Sequence, residues 1–63
     1  MTLRELLQVV DGDIYIIGED EAELCMINPT YCEFEYVIND KLLDEKVLCV
    51  YIHDGKLKVI TNA

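Results

Sequence analysis

The chain predicts an α+β fold, with one N-terminal helix packed on a mostly antiparallel sheet of four to five short strands. Three observations carry that prediction. A capping box opens directly onto an apolar stripe at helical spacing. From residue 13 onward the apolar period drops to two. Near the C-terminus an Asp-Gly pair separates two apolar runs, which is the strongest short-range hairpin signal a sequence offers.

Thr2-Leu3-Arg4-Glu5 places a hydroxyl at the N-cap and a carboxylate at the third helical position, each able to satisfy the other's backbone N–H. Leu3, Leu6, Leu7 and Val10 follow at i, i+3, i+4 and i+7, and Gly12 stands just beyond, where helices commonly end. The spacing predicts a helix over residues 3–10. Residues 13–18 read as a strand apolar on both faces. A loop of hairpin length leads to a second strand, 22–27. Ala22, Leu24 and Met26 lie on one of its faces, with Glu23, Cys25 and Ile27 on the other. Asn28-Pro29-Thr30 is a turn or a crossing. Residues 33–38 alternate as a strand with Phe34, Tyr36 and Ile38 inward. Asn39-Asp40 caps a single helical turn through Leu42 and Leu43. Residues 47–52 form another strand apolar on both faces, and residues 57–60 return from it antiparallel. Lys56 and Lys58 mark the solvated side of that last strand, as expected at an edge.

One short helix covers only one face of such a sheet. Strands 13–18 and 47–52 nevertheless carry apolar residues on both faces. The second face therefore needs a cover, which is a sheet curled into a small barrel, a second copy of the chain (a homodimer), or a partner protein. Tyr15, Ile17, Val47, Cys49 and Tyr51 are the residues expected to form an apolar interface there, because tyrosine is enriched at interfaces. The alternative is ordinary strand packing.

A chain of 63 residues has room for one domain, residues 1–63, close to the smallest size that folds alone. An apolar fraction of 52% argues against the disorder that acidity by itself would suggest. The net charge of −8 is unevenly placed, since Glu5 to Asp40 holds ten carboxylates and no Lys or Arg. Such a field repels phosphates and anionic lipid, so no direct nucleic-acid or membrane binding is expected. No apolar run approaches the roughly 18 residues of a membrane span, and the first residues lack the apolar core of a signal peptide. Three Cys, an odd number, fit free thiols in a reducing compartment, and the expected setting is the cytoplasm.

Residues that carry chemistry are present but badly spaced for it. Cys49 and His53 lie four residues apart on one expected strand, hence about 13 Å, too far for a shared metal or a nucleophile–base pair. There is no Cys-x-x-Cys, no Ser, and no glycine-rich phosphate loop. Asp11-Gly12-Asp13 begins like a calcium loop, but the twelfth position from Asp11 is Ala22 rather than Glu. Neither an enzyme nor a bound metal or cofactor is expected. The acidic cluster has more to say. Glu19, Asp20, Glu21 and Glu23, joined by Glu33 and Glu35 on the outer face of another strand, are expected to form one negative patch. Such a patch attracts a protein with a basic surface by imitating a phosphate backbone. The alternative is that these acids only keep an apolar small domain soluble.

The run Thr-Leu-Arg-Glu-Leu-Leu, then Val10-Asp11 leading into Ile-Tyr-Ile-Ile, then Lys41-Leu-Leu-Asp-Glu-Lys-Val47 and Asp54-Gly-Lys-Leu-Lys-Val59 resembles small accessory proteins of phages and prophages of Firmicutes. The Cys25–Cys32 stretch departs from that pattern. The family has no assigned activity, so no site residues carry over. The resemblance implies mobile-element cargo, a setting in which small acidic proteins sometimes block host defence nucleases, CRISPR effectors included. The combined expectation is a non-enzymatic, acidic protein-binding module that inhibits a host nucleic-acid-binding defence protein. The alternative is a homo-oligomeric interaction protein with no inhibitory role.

Overall fold

The chain begins with α1, Leu3–Leu7, in a computed structural model that describes residues 1–63. The capping box is reciprocal. Thr2 N donates to Glu5 Oε1 at 2.9 Å, and Glu5 N donates to Thr2 Oγ1 at 3.3 Å. Two donors, the Thr2 backbone N–H first and second the Thr2 hydroxyl, which donates to Glu5 Oε1 at 3.2 Å, hold the Glu5 carboxyl below its ordinary value. Leu3, Leu6 and Leu7 face the core. The helix stops short of residue 10 because its last turn tightens, with Val9 N donating to Leu6 O three residues back. Gly12, at φ 88°, belongs to the following loop rather than to the helix end.

Thr2→Ala is expected to cost about 1 kcal/mol, the usual value of an N-cap. It should also flatten the acid limb of the stability curve. Glu5 is depressed in the folded state, so its contribution is complete above the ordinary glutamate value and is lost as pH falls through the lower folded value. Thermal unfolding of both proteins across the acid range checks the two effects together. The backbone N–H of residue 2 survives this change, so an unchanged slope would show that the Thr2 hydroxyl contributes nothing to acid sensitivity.

Four strands follow. They are β1, Ile14–Ile17, β2, Glu23–Ile27, β3, Val47–His53, and β4, Lys56–Thr61, in the order β2-β1-β4-β3. Two helical turns, α2, Phe34–Val37, and α3, Asp40–Leu43, connect β2 to β3. The class is α+β, but the sheet is mixed. β1·β2 and β3·β4 are antiparallel hairpins, whereas β4 lies parallel to β1. The chain therefore inserts β4 between β1 and β3, and β4 is central rather than an edge strand. Residues 33–38 are not a strand. Phe34 and Ile38 are buried and four apart, a spacing that a helical turn also places on one side, while Tyr36 stays exposed. Asn39 Oδ1 accepts from Leu42 N at 2.9 Å and starts α3. At the hairpin tip Asp54 (φ 53°) and Gly55 (φ 74°) both take left-handed conformations, as the tight two-residue turn requires.

Ten side chains make the core: Leu3, Leu6 and Leu7 of α1, Ile14 and Ile16 of β1, Ile27, Phe34, Ile38, Leu43 and Val59. All lie on the helix side of the sheet or on the helices that cover it. Thr61 is the buried polar residue, and its Oγ1 donates to Ile17 O at 3.1 Å. Cover fades across the sheet. The paired row Ile27, Ile14, Leu57, Ile52 runs from 3% and 0% exposed through half-buried to 74% exposed. Helices of five, four and four residues are only about 6–8 Å long. Four strands are about 14 Å wide. Beyond Val47 the helix layer leaves β3 uncovered, with Val50 and Ile52 exposed. No helix is long and apolar enough to cross a membrane.

Candidate functional site

The sheet does not close on itself, so its second face is open and the barrel is ruled out as the cover for it. One row across that face is Met26, Tyr15, Lys58, Tyr51, in register from β2 to β3. Lys56 and Lys58 place their ammonium groups 5.2 and 5.8 Å from the Tyr15 ring centroid. The aliphatic stems of these lysines shield apolar surface while the charges reach water. This explains why two Lys stand on a central strand.

The five residues expected to share an apolar interface do not all do so. Tyr15, Cys49 and Tyr51 lie on the open face, with Tyr15 half-buried and the other two exposed. Val47 is turned away from them by a register break between Val47 and Cys49. That break pairs Val47 with the buried Thr61 and packs it against the core. Ile17 is 7% exposed and offers no contact surface. The residues that the sequence pattern missed are Leu48, Val50 and Ile52, exposed at 49%, 43% and 74%. Val50 pairs with Val59 and Ile52 with Leu57, so both belong to the helix side, where no helix reaches. The available signal was the run 47–52 itself, six residues without a charge.

The acidic residues are also divided. Glu19, Asp20 and Glu21 form the β1–β2 loop, and Glu23 opens β2. Asp20 Oδ1 accepts from Ala22 N at 3.2 Å and shapes the loop, while Glu21 is held at φ 67°, an unfavourable conformation for a non-glycine residue. Glu33 and Glu35 sit on the N-cap and first turn of α2 rather than on a strand. A turn in which Tyr31 and Cys32 donate to Asn28 O places them beyond the other end of β2. From Glu23 to Ile27 the strand runs four steps, about 13 Å, before the turn that leads to Glu33. The result is an acidic edge rather than one compact patch. All six carboxylates are exposed and none makes an ion pair. The only Arg is occupied elsewhere. Arg4 lies 3.3 Å from both Asp40 and Asp44, and these bonds raise its pKa.

The thiols and the histidine are dispersed. Cys25 is on β2 and half-buried, and burial pushes its thiol pKa up, away from thiolate chemistry. Cys32 donates from Sγ to Asn28 O at 3.4 Å. Cys49 is exposed on β3, and His53 Nε2 is 3.2 Å from Asp54 Oδ2 at the hairpin tip. No three His, Cys, Asp or Glu side chains are grouped to hold a metal ion. A shallow hollow of about 460 Å³ between Leu24, Leu42 and the Asn62–Ala63 segment contains Lys41 and Glu45 but no thiol or imidazole. The molecule thus has two unlike edges, an acidic one at β2 and an apolar one at β3. No protein-family model, curated protein or solved structure matches the chain.

Proposed function

We propose that the protein is a non-enzymatic binding module that captures a partner with a basic surface through its β2 edge, and so keeps nucleic acid off that partner. The supporting observation is the set of carboxylates at Glu19, Asp20, Glu21 and Glu23, exposed and without a cation to neutralise them. Glu33 and Glu35 continue the charge at the far end of β2. A nucleic-acid strand carries one phosphate per about 3.4 Å, so a groove that binds about four nucleotides spans the same length of about 13 Å. The field of this edge speeds encounter with such a groove, and short-range pairs hold it there. The partner class that fits a mobile-element setting is a host nucleic-acid-binding defence protein in the cytoplasm. Solubility alone explains a net charge; the capture reading rests on the six exposed, unpaired carboxylates at the two ends of β2.

A pull-down from host lysate, eluted with duplex DNA, tests this reading. The expected result is a captured protein that binds DNA and is released by DNA in competition, with capture weakening steeply as salt rises. Capture that DNA does not displace would remove the phosphate-mimic reading.

A further inference from the structure

We infer that β3 is a self-association edge: two copies of the chain pair antiparallel through it and join their sheets into one of eight strands. This does not rest on the acidic edge having any partner. The two-residue turn at Asp54-Gly55 makes His53 and Lys56 the closing hydrogen-bonded pair. Alternation along β3 then turns the N–H and C=O groups of Ile52 and Val50 away from β4 and into the open. The start of the strand is already occupied. Val47 N donates to Met1 O at 2.9 Å, and Leu3 N donates to Glu45 O at 3.0 Å. The free edge therefore begins at Leu48.

That edge carries none of the usual protections. It has no charge and no Pro before His53, and its register break lies at its covered end. A second copy fits it better than any other strand for three reasons. Antiparallel pairing about Val50 sets Val50 against Val50 and Leu48 against Ile52, so each outward backbone group meets its counterpart. The exposed side chains of Val50 and Ile52 then fill the gap between two helix layers, which is the cover that the short helices fail to supply. The charges also agree. Antiparallel apposition brings the Asp54 turn of one copy toward the Lys46 end of the other, just outside the Met1–Leu3 segment that flanks that end. In the order β2-β1-β4-β3 continued by its copy, the two acidic β2 edges stand seven strand spacings apart, about 34 Å. That is several Debye lengths at physiological salt, so the carboxylates of the two β2 edges do not oppose pairing.

Sedimentation equilibrium from micromolar to millimolar protein, at physiological salt, reads the outcome. The expected mass rises from 7.3 kDa to twice that value. Over the same range the amide exchange of Val50 and Ile52 should slow at least tenfold. Val50→Lys with Ile52→Lys changes two exposed side chains and should hold the mass at 7.3 kDa at every concentration, with thermal unfolding of the dilute protein unchanged. A wild-type chain that stays at 7.3 kDa would overturn the inference. So would a dimer in which the Val50 and Ile52 amides exchange at their dilute rate, because association would then use the open face. If the double variant fails to fold, the wild-type exchange data decide alone.

Discussion

Ile14→Ala is expected to cost about 2–5 kcal/mol, while Ile52→Ala in dilute protein should cost less than about 0.5 kcal/mol. The two residues are chemically identical. They lie in one row across the sheet, two strand spacings or about 10 Å apart, on the same helix side. What differs is cover. Ile14 is 0% exposed among Leu, Ile and Phe side chains of the helices and sheet, whereas Ile52 is 74% exposed. Truncation at Ile14 leaves a cavity that close-packed neighbours cannot fill, and truncation at Ile52 leaves only water. A domain of this length has roughly 3–9 kcal/mol in total, so Ile14→Ala should leave a chain near its unfolding midpoint. Chemical denaturation of the two variants, at concentrations where no dimer forms, measures the contrast. Similar losses at both sites would mean that β3 is covered in solution even when dilute.

That contrast also shows where the sequence was legible. The capping box and the Asp-Gly turn are local signals. They need only residues three apart and two φ angles, and both read correctly. The stretch 33–38 misled because alternation and helical spacing agree at Phe34 and Ile38, and four residues do not separate the two periods. Lys56 and Lys58 misled because a lysine stem lying over Tyr15 gives the same pattern as a solvated edge. The parallel pairing of β1 with β4 joins residues more than forty positions apart, and no local pattern encodes it. At the candidate site the acidic loop was plain from composition, yet its separation from Glu33 and Glu35 depended on α2. The exposed side of β3 depends on how little of the sheet the helices cover, and the sequence overstated α1.

Loop strain offers a smaller, separable test of what the acidic edge is for. Glu21→Gly should raise stability by about 1 kcal/mol, because glycine adopts a positive φ without the penalty that Glu21 bears at φ 67°. If the loop serves only solubility, nothing opposes that exchange. If it captures a partner, the stabilised variant should bind more weakly, because the exchange also removes one of the contact carboxylates. Denaturation and capture measured on one preparation separate the two.

Charge reversal at Glu19, Glu21 and Glu23 to Lys is expected to lower partner affinity by one to four orders of magnitude. Each reversal adds two charges, so the three together take the net from −8 to −2. An exposed ion pair contributes about 0.2–1 kcal/mol, and reversal replaces that attraction with a repulsion of similar size. Three such changes amount to about 1–6 kcal/mol, or one to four decades. Asp20 is left in place because its Oδ1 bonds Ala22 N and holds the turn, so a loss of binding cannot be blamed on loop collapse. The three side chains are exposed and accept no hydrogen bond, and relieving their mutual repulsion should leave thermal unfolding equal or higher. Most of the change should appear in the association rate and in its salt dependence, since these charges act before contact as well as in it. Binding that survives the triple reversal with the same salt slope would place the partner elsewhere, and would leave the acids as a solubilising coat around a protein whose working surface is β3.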